Sequence, residues 1–309
     1  MARPTKKKKR TWLRITGIVL FLLIAGAGAY GFTVYKSLTD AVETMHEPIE
    51  RTKSEKREEV ITLEKRDPFS VLMLGVDERE GDKGRSDTMI VLTVNPEKNS
   101  VKMLSIPRDT RTEIVGRGTV DKINHAYAFG GIEMSMDTVE NFLDIPIDYY
   151  MKVNMEGFKD IVDAVGGITV NNDLDFTSGG VHFSKGQITL DGEKALIYTR
   201  LRYEDPRGDF GRQIRQRQII QGVIDKGASV SSLTKFDDIF AALGKNIKTN
   251  VSFSEMVDIQ KHYKSAGKNI EQMSIDGTGK RIDDIWYLLV SDEEQQRIQT
   301  EMKDHLSVQ

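Results

Sequence analysis

Residues 71–109 read VLMLGVDEREGDKGRSDTMIVLTVNPEKNSVKMLSIPRD. Three short apolar runs stand out: Val71–Val76, Thr88–Val94 and Val101–Ile106. Asn95-Pro96-Glu97-Lys98-Asn99 separates the last two, so the pattern is three β-strands joined by a loop and a turn. If the first strand runs up, the second runs down and the third returns. That order brings Asp77, Asp87, Arg108 and Asp109 to one end of one sheet, with Arg79 and Arg85 in the loop above. Carboxylates beside basic groups, without a histidine cluster, suit a hard cation such as Mg²⁺ held together with substrate phosphates. A charged loop edge with ordinary surface ion pairs is the plainer alternative.

Downstream, Met134–Leu143, Met155–Ala164 and Phe210–Lys226 have helical spacing, whereas Ile168–Val170 and Ala195–Leu201 read as strands. The last part of the chain, Leu233–Leu243, Phe253–Tyr263 and Ser291–His305, reads as mostly helical. The alternation indicates an α/β or α+β domain. Met134, Met136, Met151 and Met155, with Phe142 and Phe158, are core residues by default; lining a pocket for a flexible chain is the alternative.

Between residues 200 and 217 lie six arginines and no lysine: Arg200, Arg202, Arg207, Arg212, Arg215 and Arg217. In a strand ending near residue 202, Arg200 and Arg202 would share a face. On the following helix, Arg212 and Gln216 fall on the side of Ile219, Ile220, Val223 and Ile224. A guanidinium on the core side of a first helical turn is costly without an anionic partner, and the helix N-terminus adds partial positive charge. Arginine without lysine favours bidentate oxyanion recognition, here a phosphate or pyrophosphate. Structural pairs with Glu204, Asp205 and Asp209 are the alternative. Asp173-Leu174-Asp175 is a weak metal signal.

The N-terminus has a different character. Arg3, Lys6, Lys7, Lys8, Lys9 and Arg10 form a basic tail, and Ile15–Tyr35 is a run of 21 uncharged residues. As a helix this run spans about 30 Å, the thickness of a bilayer core. The basic flank marks the cytoplasmic side. The expected order is a cytoplasmic tail (1–10), one transmembrane helix (11–35), an extracellular stalk (36–66) and an extracellular domain (67–309). A signal peptide cleaved after Ala25-Gly26-Ala27 is the rival, but the apolar run continues past that site. Gly26, Gly28 and Gly31 mimic a dinucleotide fingerprint but sit inside the apolar run. Eight of the 44 basic residues and none of the 47 acidic ones lie in residues 1–36, which leaves the rest at −11. That charge, on the far side of a membrane, excludes nucleic acid as a partner. The absence of cysteine excludes disulfides, thiolate metal sites and a cysteine nucleophile.

Eight ordered motifs over residues 69–225 resemble the LytR–CpsA–Psr family of cell-wall glycopolymer transferases, especially its wall teichoic acid members. They are Leu74-Gly75-Val76-Asp77, Arg85-Ser86-Asp87-Thr88, Ser105-Ile106-Pro107-Arg108-Asp109, Asp121-Lys122-Ile123-Asn124-His125-Ala126-Tyr127, Val165-Gly166-Gly167-Ile168, Leu190-Asp191-Gly192-Glu193-Lys194-Ala195, Tyr198-x-Arg200-x-Arg202, and Asp209-Phe210-Gly211-Arg212-x-x-Arg215-Gln216. The resemblance implies a three-layer α/β/α domain with a central mixed sheet, preceded by one transmembrane helix. It implies transfer of an anionic glycopolymer from a polyprenyl pyrophosphate carrier to peptidoglycan, at a cell membrane whose lipid holds the donor. By position, Arg85, Arg108, Lys122, Arg200, Arg202, Arg212 and Gln216 would hold the pyrophosphate, and Asp77 and Asp87 would hold Mg²⁺ or Mn²⁺. Asp77, Asp87, Arg108 and Asp109 would be the catalytic set. A polyprenyl pyrophosphate hydrolase and a non-catalytic lipid-carrier scaffold are the rival functions.

Overall fold

The structure, a computed structural model, describes residues 42–77, 84–202, 204–229 and 246–308, together with residues 32, 33, 35, 36, 39, 40 and 244. The basic tail, nearly all of the expected transmembrane helix, Arg79 and the expected helix at Leu233–Leu243 lie outside the described residues. Among the described residues no helix is long and apolar enough to cross a membrane.

The chain forms β1 (Phe69–Val76), β2 (Ser86–Asn95), β3 (Ser100–Ile106), β4 (Arg111–Ile114), β5 (Thr119–Lys122), α1 (His125–Leu143), β6 (Tyr149–Val153), α2 (Met155–Ala164), β7 (Ile168–Asn172), β8 (Phe176–Ser178), β9 (Val181–Phe183), β10 (Gly186–Leu190), α3 (Gly192–Arg200), α4 (Asp209–Ser229), β11 (Ile247–Thr249), α5 (Phe253–His262), β12 (Ile270–Ser274), β13 (Thr278–Ile282), β14 (Ile285–Leu289) and α6 (Asp292–Leu306). The central sheet has the order β11-β6-β1-β2-β3-β12. Strand β2 runs antiparallel to both β1 and β3, as the short connections require, while β6 runs parallel to β1 and β12 parallel to β3. The sheet is therefore mixed.

Alternation along β1 sends Leu72, Leu74 and Val76 into one face of the sheet, where Met136, Val139 and Phe142 of α1 and Ile298, Met302 and Leu306 of α6 cover them. The opposite face receives α4, with Arg217 reaching Ser105 of β3 and Gln216 reaching Thr88 of β2. The result is the expected three-layer α/β/α arrangement. A second cluster, with Phe176, Phe183 and Tyr198 stacked at ring separations of 4.9–5.8 Å, packs α3 against the β7–β10 hairpins and Ile219 of α4.

Two readings of the sequence need correction. Ala195–Leu201 is helical, not a strand: Asp191 caps α3 by accepting the Lys194 amide at 2.8 Å. The shared-face argument for Arg200 and Arg202 falls with it. The expected helices at Phe253–Tyr263 and Ser291–His305 are present as α5 and α6, but the described residues beyond α4 also supply β11 and β12 at the sheet's two edges and the β13–β14 hairpin, which the sequence reading did not anticipate. The methionines also part company. Met136 and Phe142 are in the core under α1, Met151 is on β6, and Phe158 packs in the second cluster, so they line no common pocket.

Residues 42–66 lie on the domain surface and are bonded to it. Arg51 reaches Glu140 at 2.7 Å and the Ile147 carbonyl at 2.7 Å, and Arg57 reaches Asp148 at 2.7 Å. Val42, Met45 and Leu63 are buried.

His305 closes the fold at the end of α6. Its Nδ1 lies 2.7 Å from Thr93 Oγ1 and its Nε2 lies 2.9 Å from Ser100 Oγ, which ties the helix to β2 and β3. Burial, helped by Lys102 and Lys98, pushes this imidazole down to about 4. The folded state therefore resists a proton that the unfolded chain takes near its ordinary value of about 6.5. Stability from this site is full above about pH 6.5 and falls as pH drops toward 4. Urea unfolding should show the wild type losing about 2 kcal/mol more than His305→Gln between pH 7 and pH 5. Equal losses would show that His305 does not titrate with folding.

Candidate active site at the upper end of the sheet

The β1–β2 ladder is regular until its last step. Gly75 faces Thr88, but Val76 faces Ser86, so Asp87 is the extra residue of a bulge. A bulge re-aims a side chain, and here it swings Asp87 toward the end of β3. There Arg108 Nη1 meets Asp87 Oδ1 at 2.6 Å, and Arg108 Nε lies 3.8 Å from Asp109 Oδ2. Gly75 is required beside the bulge, because a Cβ there would come within 2.9 Å of the Thr88 Cβ. Asp77 follows directly after β1 at the same end, half-buried.

Asp109 Oδ1 takes Lys122 Nζ at 2.7 Å, which brings the end of β5 to the cluster. Lys122 is itself braced through Asp121, whose carboxylate accepts the Lys122 amide at 2.7 Å, faces His125 Nδ1 at 2.7 Å, and accepts Tyr287 Oη at 3.3 Å. Burial works against ionisation of Asp121. The bonds from His125 and the Lys122 amide outweigh it and hold the carboxyl below its usual range. His125 thus positions Asp121 and does not enter the cluster.

From the other face, α4 contributes Arg212 and Gln216, one turn apart. Arg212 Nη2 lies 2.7 Å from Asp209 Oδ1 and 3.3 Å from the Asp87 carbonyl, and Gln216 Nε2 donates to Thr88 Oγ1 at 2.8 Å. Arg202, in the loop before α4, stands 3.9 Å from Asp209. The two central arginines differ electrostatically. Burial opposes the charge on Arg108, yet Asp87, Asp209 and Asp109 outweigh it, and its pKa lies above the ordinary value. On Arg212 burial prevails over Asp209, with Arg108 and Arg202 adding repulsion, and the pKa lies below the ordinary value. The Arg212 Nε is buried with no hydrogen-bond partner among the described residues. This is a desolvated cation whose field holds Arg108 and Arg202 as well as Asp209 and Asp87, and an incoming anion would offset both the burial and the repulsion.

The six-arginine segment divides into two groups. Arg215, 1% exposed, and Arg207 both bind Asp205, and Arg207 also reaches Asp173. Their role is to pin the loop preceding α4, as the structural alternative anticipated, and Asp173 is thereby engaged in an ion pair. Arg217 is buried on neutral partners, Ser105 and Gln272. Arg202 and Arg212 turn to the cluster. Arg85 and Arg200 are exposed, and no contact among the described residues ties either of them to it. The site thus joins Asp87, Arg108, Asp109, Lys122, Arg202, Arg212 and Gln216. Sequence reasoning missed three supports: Asp209, weighed only as a structural partner; Asp121, quoted in a motif without a role; and Tyr287, which carried no local signal. Among the described residues no group of three or more histidine, cysteine, aspartate or glutamate side chains converges.

The two arginine groups should separate in experiment. Asp205→Asn leaves Arg215 buried without its partner and should cost about 3–5 kcal/mol, read as a lowered thermal midpoint. Arg212→Met should leave the midpoint unchanged or raise it, because it removes a desolvated charge. A large loss of stability in Arg212→Met would mean that Asp209 already satisfies this cation.

The family model LytR_cpsA_psr matches residues 32–304. Over 306 residues the chain is 53% identical to the polyisoprenyl-teichoic acid–peptidoglycan teichoic acid transferase TagU of Bacillus subtilis (strain 168), covering 99% of each chain. The crystal structure of B. subtilis TagU superposes with a TM-score of 0.63 at 54% identity, over 78% of this chain and 97% of that one. A structure of TagT bound to LIIa-WTA superposes with a TM-score of 0.74 at 33% identity, over 85% of this chain and all of that one. The chain belongs to the LytR_cpsA_psr family.

Proposed function

We propose that this chain is a transferase that moves an anionic glycopolymer, wall teichoic acid, from a polyprenyl pyrophosphate carrier to peptidoglycan. The observation that carries the reading is Arg212, a buried guanidinium with an orphaned Nε beside Arg108 and Arg202. The names of relatives more than half identical over nearly the whole chain supply the substrate class.

In this account the pyrophosphate lies between Arg108, Lys122, Arg202, Arg212 and Gln216, with Arg85 and Arg200 at the rim. A sugar hydroxyl of peptidoglycan attacks the glycan-side phosphorus as the bond from that phosphorus to the bridging oxygen breaks, and polyprenyl phosphate leaves. The hydroxyl proton passes to a carboxylate. Asp109 has both oxygens turned to cations, Lys122 and Arg108, whereas Arg108 meets only Asp87 Oδ1. Of these two, Asp87 thus keeps the less engaged carboxylate. Guanidinium groups fixed around the transferred phosphoryl group stabilise its charge without reorganising during the reaction.

The oxygen-only donors Asp77 and Asp87 fit Mg²⁺ or Mn²⁺, which take one or two carboxylates and fill the remaining positions with phosphate oxygens and water. The 40% exposure of the Asp87 side chain leaves room for such ligands. When bound, the ion would supply further charge neutralisation on the pyrophosphate. The uncharged run of residues 15–35 would anchor the domain outside the cell membrane, in the same bilayer as the donor's lipid.

The test is reconstitution of the full chain in bilayers with lipid-linked teichoic acid, peptidoglycan oligomers and Mg²⁺. The expected product is polymer covalently joined to glycan, and Arg108→Ala or Asp87→Ala should lower its rate by about 10²–10³-fold. Polymer released into water despite the acceptor would make the protein a hydrolase. Full transfer by both variants would make it a scaffold.

A further inference from the structure

Strands β13 and β14 form a hairpin whose root and tip have different surroundings. At the root, the Leu288 amide donates to the Asp109 carbonyl at 2.9 Å, and Thr110 bridges to Leu288. Tyr287 bonds Asp121, and its ring lies 5.9 Å from Lys122 Nζ. The hairpin is thus joined by backbone and side chain to the segment that presents Asp109 and Lys122. Its tip stands in solvent. Trp286 is 49% exposed and Ile285 is 46% exposed. Along a strand, Trp286 sits about 7 Å beyond Leu288.

Two features stiffen this tip. Ile282 pairs with Ile285 across a two-residue turn in which Asp283 (φ 48°) and Asp284 (φ 62°) are both left-handed, the arrangement that matches strand twist. The Trp286 ring lies against Gly279, where any Cβ would come within 2.0 Å of it. Glycine alone lets the indole lie on the hairpin, with one face supported and the rest open.

We infer that this hairpin is a stacking platform for a sugar ring of the acceptor glycan, with Trp286 as its floor, resting on the transfer reading above. A rigid indole offers a flat apolar face to the C–H side of a pyranose, and stacking loses little entropy because the ring is already fixed. Arg281, paired with Trp286, and Asp283 and Asp284 at the apex are exposed on the same tip, and they supply donors and acceptors for hydroxyl, amide and carboxylate groups. The two aspartates at the apex also argue against a lipid-inserting tip, because the apex would carry its carboxylates into the bilayer first.

The chain has two tryptophans, Trp12 and Trp286, so full-length Trp12→Phe in nanodiscs makes Trp286 the sole indole. Adding soluble peptidoglycan oligomers should shift Trp286 emission and saturate in the concentration range that supports transfer. In kinetics, Trp286→Ala should raise KM for the acceptor about tenfold more than KM for the donor. Trp286→Phe, which keeps an aromatic face, should recover most of that loss. Emission that ignores the oligomers, equal effects on both KM values, or quenching of Trp286 by brominated lipid alone would overturn the platform. Saturable emission without any transfer would uphold acceptor binding and count against the transferase reading instead.

Discussion

The site depends on a guanidinium that the protein buries further than it neutralises. Arg212 has Asp209 at 2.7 Å, with Asp87 and the two arginines Arg108 and Arg202 in its field, and burial still prevails. A fold can hold a charge in that state only if the surrounding elements are fixed by other means. Here the fixing is visible. Arg215 and Arg207 clamp Asp205 and so set the loop that starts α4. Gly211 fits because there is no side chain between α4 and the Asp205 carboxylate, which an added Cβ would approach within 2.0 Å. On the opposite side the β1–β2 bulge turns Asp87 to Arg108, and Asp109 engages Lys122. The structural ion pairs surround the functional ones, so an anion entering the centre meets charges already in place.

This division explains what could be read from the sequence. The three apolar runs of residues 71–106 gave the antiparallel centre of the sheet, because each is a short run bounded by turns. Asp77, Asp87, Arg108 and Asp109 follow from that topology alone. Arg212 and Gln216 were legible too, since helical periodicity places them beside Ile219. Arg200 was not. Its period-two spacing with Arg202 suggested a strand, whereas the Asp191 cap and the packing of Tyr198 against Phe176 and Phe183 make the segment helical. Strand β12 (Ile270–Ser274) was illegible for a different reason. It is a sheet edge with exposed Glu271 and Gln272, and only pairing with β3 makes it a strand. Tyr287 could not be found from spacing, as it reaches Asp121 across 166 residues of chain.

Residues 42–66 add a constraint on placement. Read as a stalk from their charges, they instead use those charges on the domain. Arg51 bonds Glu140, Asp137 and the Ile147 carbonyl, Lys56 bonds Asp144, and Arg57 bonds Asp148 and the Pro68 carbonyl. Arg51 and Arg57 are more than three-quarters buried, so these are not loose surface pairs. Residues 51–57 are therefore held along α1 and the start of β6.

The central claim is that the buried arginines exist for a diphosphate. Binding of a short polyprenyl diphosphate and of its monophosphate to the full chain tests it most directly, by calorimetric titration of wild type and Arg212→Met. The account predicts that wild type binds the diphosphate at least about tenfold more tightly, and that Arg212→Met loses most of that preference. Equal affinity for the two ligands, or an undiminished preference in the variant, would contradict it.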